Sequence, residues 1–174
     1  MWNEHRGFSL IEFIMTILIL SLGAGVIYSF MEAIIASPEP TLRARAVALG
    51  QGLMDEIVGK RWDETTPLGG GSALSPSATL GPDLGETDRS RYDDVDDYNG
   101  FSEEDTFTDQ EGNTFTVQGV KRRVTVDYIQ DDASVIDHAV PAPASHATNT
   151  KRIVVTVETP AGETFMFVSA RCNY

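Results

Sequence analysis

The chain has 174 residues, enough for one membrane anchor and one globular domain of roughly 110 residues. Its 26 acidic residues outnumber its 13 lysines and arginines, which gives a net charge of −13. Because such an acidic surface repels phosphate groups, the charge argues against nucleic acid and anionic lipid as partners. The single cysteine, Cys172, excludes an intrachain disulfide, and we expect it to act as a small hydrophobic residue near the last strand.

The first element is an apolar run that begins near Phe8 and lasts to Ala36. No charged residue lies between Glu12 and Glu32. As a helix, residues 13–31 would measure about 28 Å at about 1.5 Å per residue, which matches the hydrocarbon core of a bilayer. The run therefore predicts a transmembrane helix. Glu12 lies one turn inside it, and an unpaired carboxylate there costs about 2.5–3.5 kcal/mol on insertion scales.

A short motif stands at the start of this run: Gly7-Phe8-Ser9-Leu10-Ile11-Glu12. An ordinary secretory signal has its cleavage site after a shorter apolar core, whereas here the small residue precedes the core. The motif resembles the N-terminus of type IV pilins and pseudopilins. The resemblance implies that a prepilin peptidase removes residues 1–7 and that the new N-terminal Phe8 is methylated. It also implies that Glu12 pairs with the N-terminal amine of a neighbouring subunit.

This pairing agrees with the physics of an apolar helix bundle. A lone carboxylate is disfavoured there, and an ammonium group from the next subunit would satisfy it in only one axial register. The alternative is an interfacial Glu12 whose carboxylate reaches water at the end of an ordinary anchor. Arg6 and His5, offset by Glu4, give a weak positive-inside signal for a cytoplasmic N-terminus. We expect a single-pass inner-membrane protein with a periplasmic C-terminal domain, which then enters an extracellular pilus.

The helical pattern is interrupted at residues 37–40, where two prolines predict a kink or break. Within the preceding helix (8–36), Gly23 and Gly25 indicate either local unwinding during assembly or close packing of helices. From Thr41 to Lys60, apolar residues recur every three or four positions, at Leu42, Ala46, Leu49, Leu53 and Ile57. We expect this stripe to cover a sheet, as part of an amphipathic second half of the helix (37–62).

Residues 63–113 predict an irregular, acidic region. Glycine, proline and serine dominate as far as Pro82, and eleven acidic residues follow between Glu86 and Glu111. The centre of this region is the segment Tyr92–Phe101. Three interpretations stay open: a solvated acidic loop pinned by its aromatic residues, a calcium site, or a surface that docks a partner. The spacing is not that of an EF-hand loop, and we assign no metal ligand.

Residues 114–174 predict an antiparallel sheet of about four strands. Segments rich in β-branched and aromatic residues lie at 114–117, 120–129, 152–158 and 164–169. Thr159–Gly162 predicts a tight turn between the last two segments, and residues 131–150 predict a longer loop. A long helix packed on such a sheet is an α+β architecture, and the resemblance implies the same pilin-like fold.

Two short segments, Trp62–Pro67 and Tyr92–Gly100, are similar to a narrower group, the MshD group of minor pilins in mannose-sensitive haemagglutinin (MSHA) pili. Many major type IV pilins close a C-terminal loop with a disulfide, which this chain cannot form. Together these features imply a minor pilin that initiates assembly at or near the tip of a type IV pilus. The implied partners are other pilins and minor pilins, the prepilin peptidase and the inner-membrane pilus assembly machinery.

Three alternatives to this function stay open. They are a pseudopilin of type II secretion, a secreted binding module cut after Ala36, and a permanent single-pass membrane protein that never polymerises. The enzyme class is disfavoured, because the three histidines lie in the leader or in predicted loops: His5, His138 and His146. The sequence shows no glycine-rich phosphate loop, no HExxH and no Cys/His metal spacing. We therefore expect no catalytic residue and no cofactor.

Overall fold

A computed structural model describes residues 9–35, 40–67, 71–73 and 75–174, with the backbone alone for 33–35. The chain divides into two units, Met1–Glu39 and Pro40–Tyr174. We call the second unit the head. The break predicted at residues 37–40 lies outside the described residues except for Pro40, which is the first residue of a helix.

The first helix, α1, spans Leu10–Ile35 and is continuous through Gly23 and Gly25. Long aliphatic and aromatic side chains dominate it, and no charge lies between Glu12 and Glu32 to divide it into polar and apolar faces. An apolar surface on all sides is typical of a helix surrounded by lipid or by other helices. The long N-terminal apolar helix predicted from the sequence is thus confirmed.

The second helix, α2, spans Pro40–Val58, close to the predicted limits of Thr41 and Lys60. Proline suits its first position, where a backbone N–H has no partner within the helix. The buried face consists of Ala46, Gly50, Leu53, Met54 and Ile57. This face includes the centre of the predicted apolar stripe and is widened by Gly50 and Met54.

Four antiparallel strands form one sheet in the order in which they occur along the chain. They are β1 (Ser102–Thr108), β2 (Thr114–Ile129), β3 (Thr150–Glu158) and β4 (Thr164–Cys172). The predicted turn after Thr159 joins β3 to β4, with the Thr159 N–H donating to the Glu163 carbonyl at 2.9 Å. The α+β fold, a long helix followed by a second helix and a four-stranded sheet, is therefore confirmed.

The core of the head lies between α2 and the sheet. Leu53 and Ile57 of α2 pack with valines of β2 and β3, among them Val124 and Val155. At Gly50, a side chain would overlap the ring of Phe167 on β4. Because glycine has no Cβ, α2 approaches the sheet closely at this point.

The composition of the sheet differs from the sequence prediction in two respects. Strand β1 lies within residues 63–113, which were predicted to be irregular, and β2 is one strand where two were predicted. The acidic sequence of β1 has low intrinsic strand propensity. Its pairing supplies the missing stabilisation, because Glu103 and Glu104 lie opposite Arg122 and Lys121 of β2 and form ion pairs with them.

Candidate functional site

The N-terminal unit presents the first candidate site. Gly7 and Phe8, predicted to be the cleavage and methylation positions, lie outside the described residues. Glu12 lies in the first turn of α1 and is exposed. An acid is favourable there, because the free N–H groups at the start of a helix carry partial positive charge. Among the residues that the structure describes, no cation forms an ion pair with Glu12, so its carboxylate is available to an outside partner.

The surface of α1 is apolar along its length. The segment Leu10–Glu32 has 23 residues, its most apolar 18-residue window has a mean hydropathy of 2.4, and none of that window is buried. Its serine and threonine hydroxyl groups are satisfied internally: for example, Thr16 donates to the Glu12 carbonyl at 2.7 Å and Ser29 to the Gly25 carbonyl at 3.0 Å. Internal satisfaction of polar groups is what a hydrocarbon environment requires. By length and composition, α1 is therefore a candidate membrane span.

The acidic segment of the head is the second candidate site. Its aromatic residues pack edge to face, with ring centroids 5.1 Å apart for Tyr92 and Tyr98 and 6.2 Å apart for Tyr98 and Phe101. The prediction of a solvated acidic loop is wrong for three of its aspartates, because Asp94, Asp96 and Asp97 are buried. The local sequence did not reveal this burial, since the residues that cover and neutralise the aspartates are distant in the chain.

Backbone hydrogen bonds hold two of these aspartates. Asp94 Oδ1 accepts the N–H of Asp96 at 2.9 Å, and Asp97 Oδ2 accepts the N–H groups of Asp93 and Asp94 at 2.9 and 3.0 Å. Aspartate favours such local acceptor roles in turns. The close spacing of the acids along the chain thus shapes the loop.

A buried lysine lies against this segment. Lys151 of β3 is 0% exposed. Its ammonium group donates to the Trp62 carbonyl at 2.7 Å, to Asp63 Oδ2 at 3.2 Å and to Asp96 Oδ1. It also lies 4.2 Å from the centroid of the Trp62 ring and 5.7 Å from that of Tyr128. We call these residues, together with Asp94, the Lys151 cluster.

Sequence analysis did not identify the Lys151 cluster. The predicted strand began at residue 152, one position after the lysine. Asp63 and Asp96 are 88 and 55 positions from Lys151 in the chain. The one available signal was a lysine at the start of a strongly apolar strand, and it does not indicate a partner.

The acids in and near the Lys151 cluster differ in their protonation. Burial raises the pKa of Asp94 to about 8, and the charge of Asp96 adds to that shift. Burial likewise raises the pKa of Asp96, against the opposing effect of Lys151. At Asp63, burial also acts to raise the pKa, but N–H groups of Ser77 and Thr65 donate to the carboxylate and hold its pKa below the usual value.

Two groups of carboxylates at the edge of this segment offer oxygens close enough to share a cation. They are Glu64, Asp93 and Asp94, and Glu86, Asp93 and Asp97. Oxygen ligands of this kind suit a hard cation such as calcium. Arg61 already forms ion pairs with Glu64 and Asp93, and its charge competes with a metal ion. The calcium interpretation therefore stays a hypothesis.

Comparison with known proteins gives one match. Residues 2–28 match the prokaryotic N-terminal methylation motif. Neither a curated protein nor a solved structure matched the chain. The matched segment contains Gly7, Phe8 and Glu12 and extends through most of α1. It implies processing by a prepilin peptidase and assembly with other pilins, and it favours a structural subunit over an enzyme. The chain thus carries a prepilin-type N-terminus, which supports a type IV pilin or pseudopilin.

Proposed function

We propose that this chain is a minor pilin of a type IV pilus of the MSHA type. A prepilin peptidase cleaves it after Gly7 and the new N-terminus, Phe8, is methylated. Helix α1 stays on the mature protein, first as a membrane anchor and then as the element that packs in the filament. The observation that carries the proposal is the methylation motif at residues 2–28, which leads into a helix with an apolar surface on all sides.

Glu12 sets the position of the subunit in the filament. In a bundle of apolar helices, a carboxylate without a partner is strongly disfavoured. The N-terminal amine of the next subunit neutralises it in one register only, so the pair selects that register. Glu12 is free of ion pairs within the described residues, which leaves its carboxylate available to an amine from another subunit.

In the membrane, the N-terminus lies in the cytoplasm and the head in the periplasm. After extraction from the inner membrane the subunit becomes part of an extracellular filament. Its neighbours are other pilins and minor pilins, and the inner-membrane pilus assembly machinery carries out the transfer. The MSHA assignment rests on the resemblance of Trp62–Pro67 and Tyr92–Gly100, and the place near the tip rests on the role of minor pilins in initiating assembly.

The mature N-terminus tests the processing step. Mass spectrometry of the protein purified from membranes should find a chain that begins with N-methylated Phe8. A chain that begins at Ser37 would instead indicate a secreted module. An intact Met1, together with absence of the protein from sheared surface fibres, would indicate a permanent membrane protein. Either of these last two results contradicts the proposal.

Replacement of Glu12 tests the assembly step. Glu12→Gln should leave membrane insertion intact, or ease it, because a neutral amide is less costly in lipid than a carboxylate. Incorporation into sheared filaments should fall by about tenfold or more, as expected when a buried charge loses its partner. Glu32→Gln, at the other acid of α1, is the matched control and should keep wild-type incorporation. Equal incorporation of both variants would contradict the role of Glu12.

A pseudopilin of type II secretion is the second candidate, because the same N-terminal motif occurs in both classes. Deletion of the gene separates them. Loss of surface pili with normal export of secreted enzymes supports the minor pilin. Loss of export with normal pili supports the pseudopilin. Labelling of an epitope-tagged chain on isolated pili then tests the place near the tip.

A further inference from the structure

The Lys151 cluster brings a primary amine and a carboxyl group into contact in the buried interior of the head. Lys151 Nζ contacts Asp96 Oδ1, which is one bond from the carboxyl carbon of Asp96. Lys151 is 0% exposed and Asp96 is 4% exposed. The two residues lie on different elements, β3 and the short 3-10 helix Asp96–Tyr98. The nitrogen therefore lies beside the carboxyl group whose carbon it would attack, and both groups are held there by the fold.

Aromatic residues enclose this contact. The rings of Trp62 and Tyr128 lie over Lys151 Nζ, and both side chains are buried. The Trp62 ring is fixed by its indole N–H, which donates to the Arg171 carbonyl at 3.0 Å. Tyr128 Oη donates to the Ser77 carbonyl at 2.8 Å. The enclosure shields the contact from bulk solvent, which disfavours hydrolysis of an amide formed there.

A third acid is positioned to assist. Asp94 is 1% exposed, and its Oδ1 accepts the backbone N–H of Asp96 at 2.9 Å, which places its carboxyl group beside Asp96. Burial raises the pKa of Asp94 to about 8, which favours its neutral form at neutral pH and allows it to act as a proton donor. A neutral acid that donates to a carboxyl oxygen stabilises the negative charge which develops there during attack on the carbon.

We propose that the head forms an intramolecular isopeptide bond between Lys151 Nζ and the side-chain carboxyl carbon of Asp96. The Lys151 cluster is then a self-modifying site, and its product is a covalent link between β3 and the acidic segment. The link is independent of cleavage after Gly7 and of filament assembly.

The reaction is a condensation that balances without an oxidant or a co-reactant. One proton passes from the Lys151 ammonium to the Asp96 carboxylate, which yields an amine and a carboxylic acid. The amine nitrogen then forms a bond to the carboxyl carbon while Asp94 donates its hydrogen bond to the carboxyl oxygen. A C–O bond of Asp96 breaks, and its oxygen leaves as water with the proton received earlier and a second proton from the nitrogen. Ammonium plus carboxylate has become amide plus water.

Asp63 and the Trp62 carbonyl orient the nucleophile. Asp63 is held by N–H groups of Ser77 and Thr65 at 2.8 and 3.2 Å, so its carboxylate is fixed before it meets Lys151. Two of the three ammonium protons point to Asp63 and Trp62, and the third points to Asp96. Asp63 and Trp62 are positioning residues in this scheme, and Asp94 is the proton donor.

Intact mass is the direct test. The full chain is purified in detergent, unfolded in denaturant and weighed. After correction for the processed N-terminus, the mass should be lower than that of the sequence by one water molecule. Fragmentation of a protease digest should identify one branched peptide joined through Lys151 and Asp96. The full mass of the sequence, or a lost water that maps to other residues, would overturn the proposal.

Two variants and one internal control complete the test. Lys151→Arg keeps the positive charge but lacks the amine. It should form no link to Asp96, and its mass should equal that of its sequence. Asp94→Asn keeps both reacting groups but removes the acidic proton, and the linked fraction formed in a fixed time should fall by tenfold or more. The exposed pair Lys121–Glu104 should stay unlinked in every sample, since water surrounds it. If Asp94→Asn links as fast as the wild type, Asp94 is not the proton donor.

If Lys151→Arg fails to fold, the wild-type mass and the branched peptide still decide the question. The N-terminal peptide is read in the same digest. A missing isopeptide with an N-methylated Phe8 would overturn this inference and leave the proposed function standing. A Lys151–Asp96 link on a chain that still begins at Met1 would support this inference and overturn the proposed function.

Discussion

Helix α1 and the head place polar and apolar groups in opposite ways. In α1, large apolar side chains lie on the outside, with Leu20 66% exposed. In the head, a lysine and several aspartates lie inside, with Lys151 0% exposed. Apolar groups on the surface indicate that the stabilising partner is outside the chain. Buried charges indicate that the partners are within it, because an unpaired charge would not be tolerated there.

The two regions therefore obtain their stability from different sources. Substitutions in α1 should change how the chain enters a membrane or a filament and leave unfolding of the head unchanged. Substitutions in the Lys151 cluster should do the opposite. A substitution in either region that changes both entry into a membrane or filament and unfolding of the head would contradict this assignment.

The largest effect is expected from Lys151→Ala. It leaves Asp63 and Asp96 buried without their cation, which should lower the free energy of unfolding of the head by about 3–5 kcal/mol. A covalent Lys151–Asp96 link, which closes a loop of 55 residues, would add about 4 kcal/mol to the loss. Denaturant unfolding of the detergent-solubilised chain, followed by circular dichroism, measures the change.

The control for this prediction is the exposed ion pair between Lys121 and Glu104, whose side chains are about half exposed. Lys121→Ala should change the free energy of unfolding by less than about 1 kcal/mol. Membrane insertion of both variants should equal that of the wild type. A small effect at Lys151 would show that the buried charges do not stabilise the head.

The next effect is expected in α1. Leu20→Arg places a charge near the middle of the candidate span and should raise the free energy of insertion by about 3 kcal/mol. The fraction of chain found in the membrane after synthesis measures this effect. Leu84→Arg, at a fully exposed leucine of the head, is the control and should insert normally. Normal insertion of Leu20→Arg would show that the segment from Leu10 to Glu32 does not span the membrane.

The smallest changes in stability are expected for glycine-to-alanine substitutions. Their sign depends on whether another side chain packs against the glycine. Gly50→Ala would place a methyl group in the ring of Phe167, and overpacking of this kind costs about 1–3 kcal/mol. Gly52→Ala, two positions further along α2, meets no atom and should gain up to about 1 kcal/mol from helix propensity. Gly25→Ala in α1 also meets no atom and should leave unfolding of the head unchanged. Thermal unfolding should thus rank Gly52→Ala above wild type and Gly50→Ala below it.

Features that depend on local patterns were predictable from the sequence. The apolar run of α1 shows in its length and lack of charge, the stripe of α2 in its helical spacing, and the strands β3 and β4 in their β-branched and aromatic residues. The motif around Gly7, Phe8 and Glu12 could also be recognised from the sequence, because it consists of three residues at fixed spacing beside an apolar helix. Its assembly role still stays a prediction.

Features that depend on distant residues were not predictable. Strand β1 has an unfavourable sequence, and cations on β2 that are distant in the chain stabilise it. The residues next to Asp96 in the sequence are typical of an exposed loop. Its burial is explained by Lys151, which lies 55 positions later in the chain. The acidic segment was therefore predicted to be solvated, although the fold encloses three of its aspartates.

The position of Trp62 beside Lys151 has a practical consequence. The chain has two tryptophans, Trp2 and Trp62, and the proposed cleavage after Gly7 would remove the first. The indole fluorescence of the processed protein then comes from Trp62 alone, a ring that is 3% exposed and 4.2 Å from an ammonium nitrogen. Mature subunits thus contain a built-in optical probe, whose emission wavelength reports directly on whether water has entered the charged interior of the head.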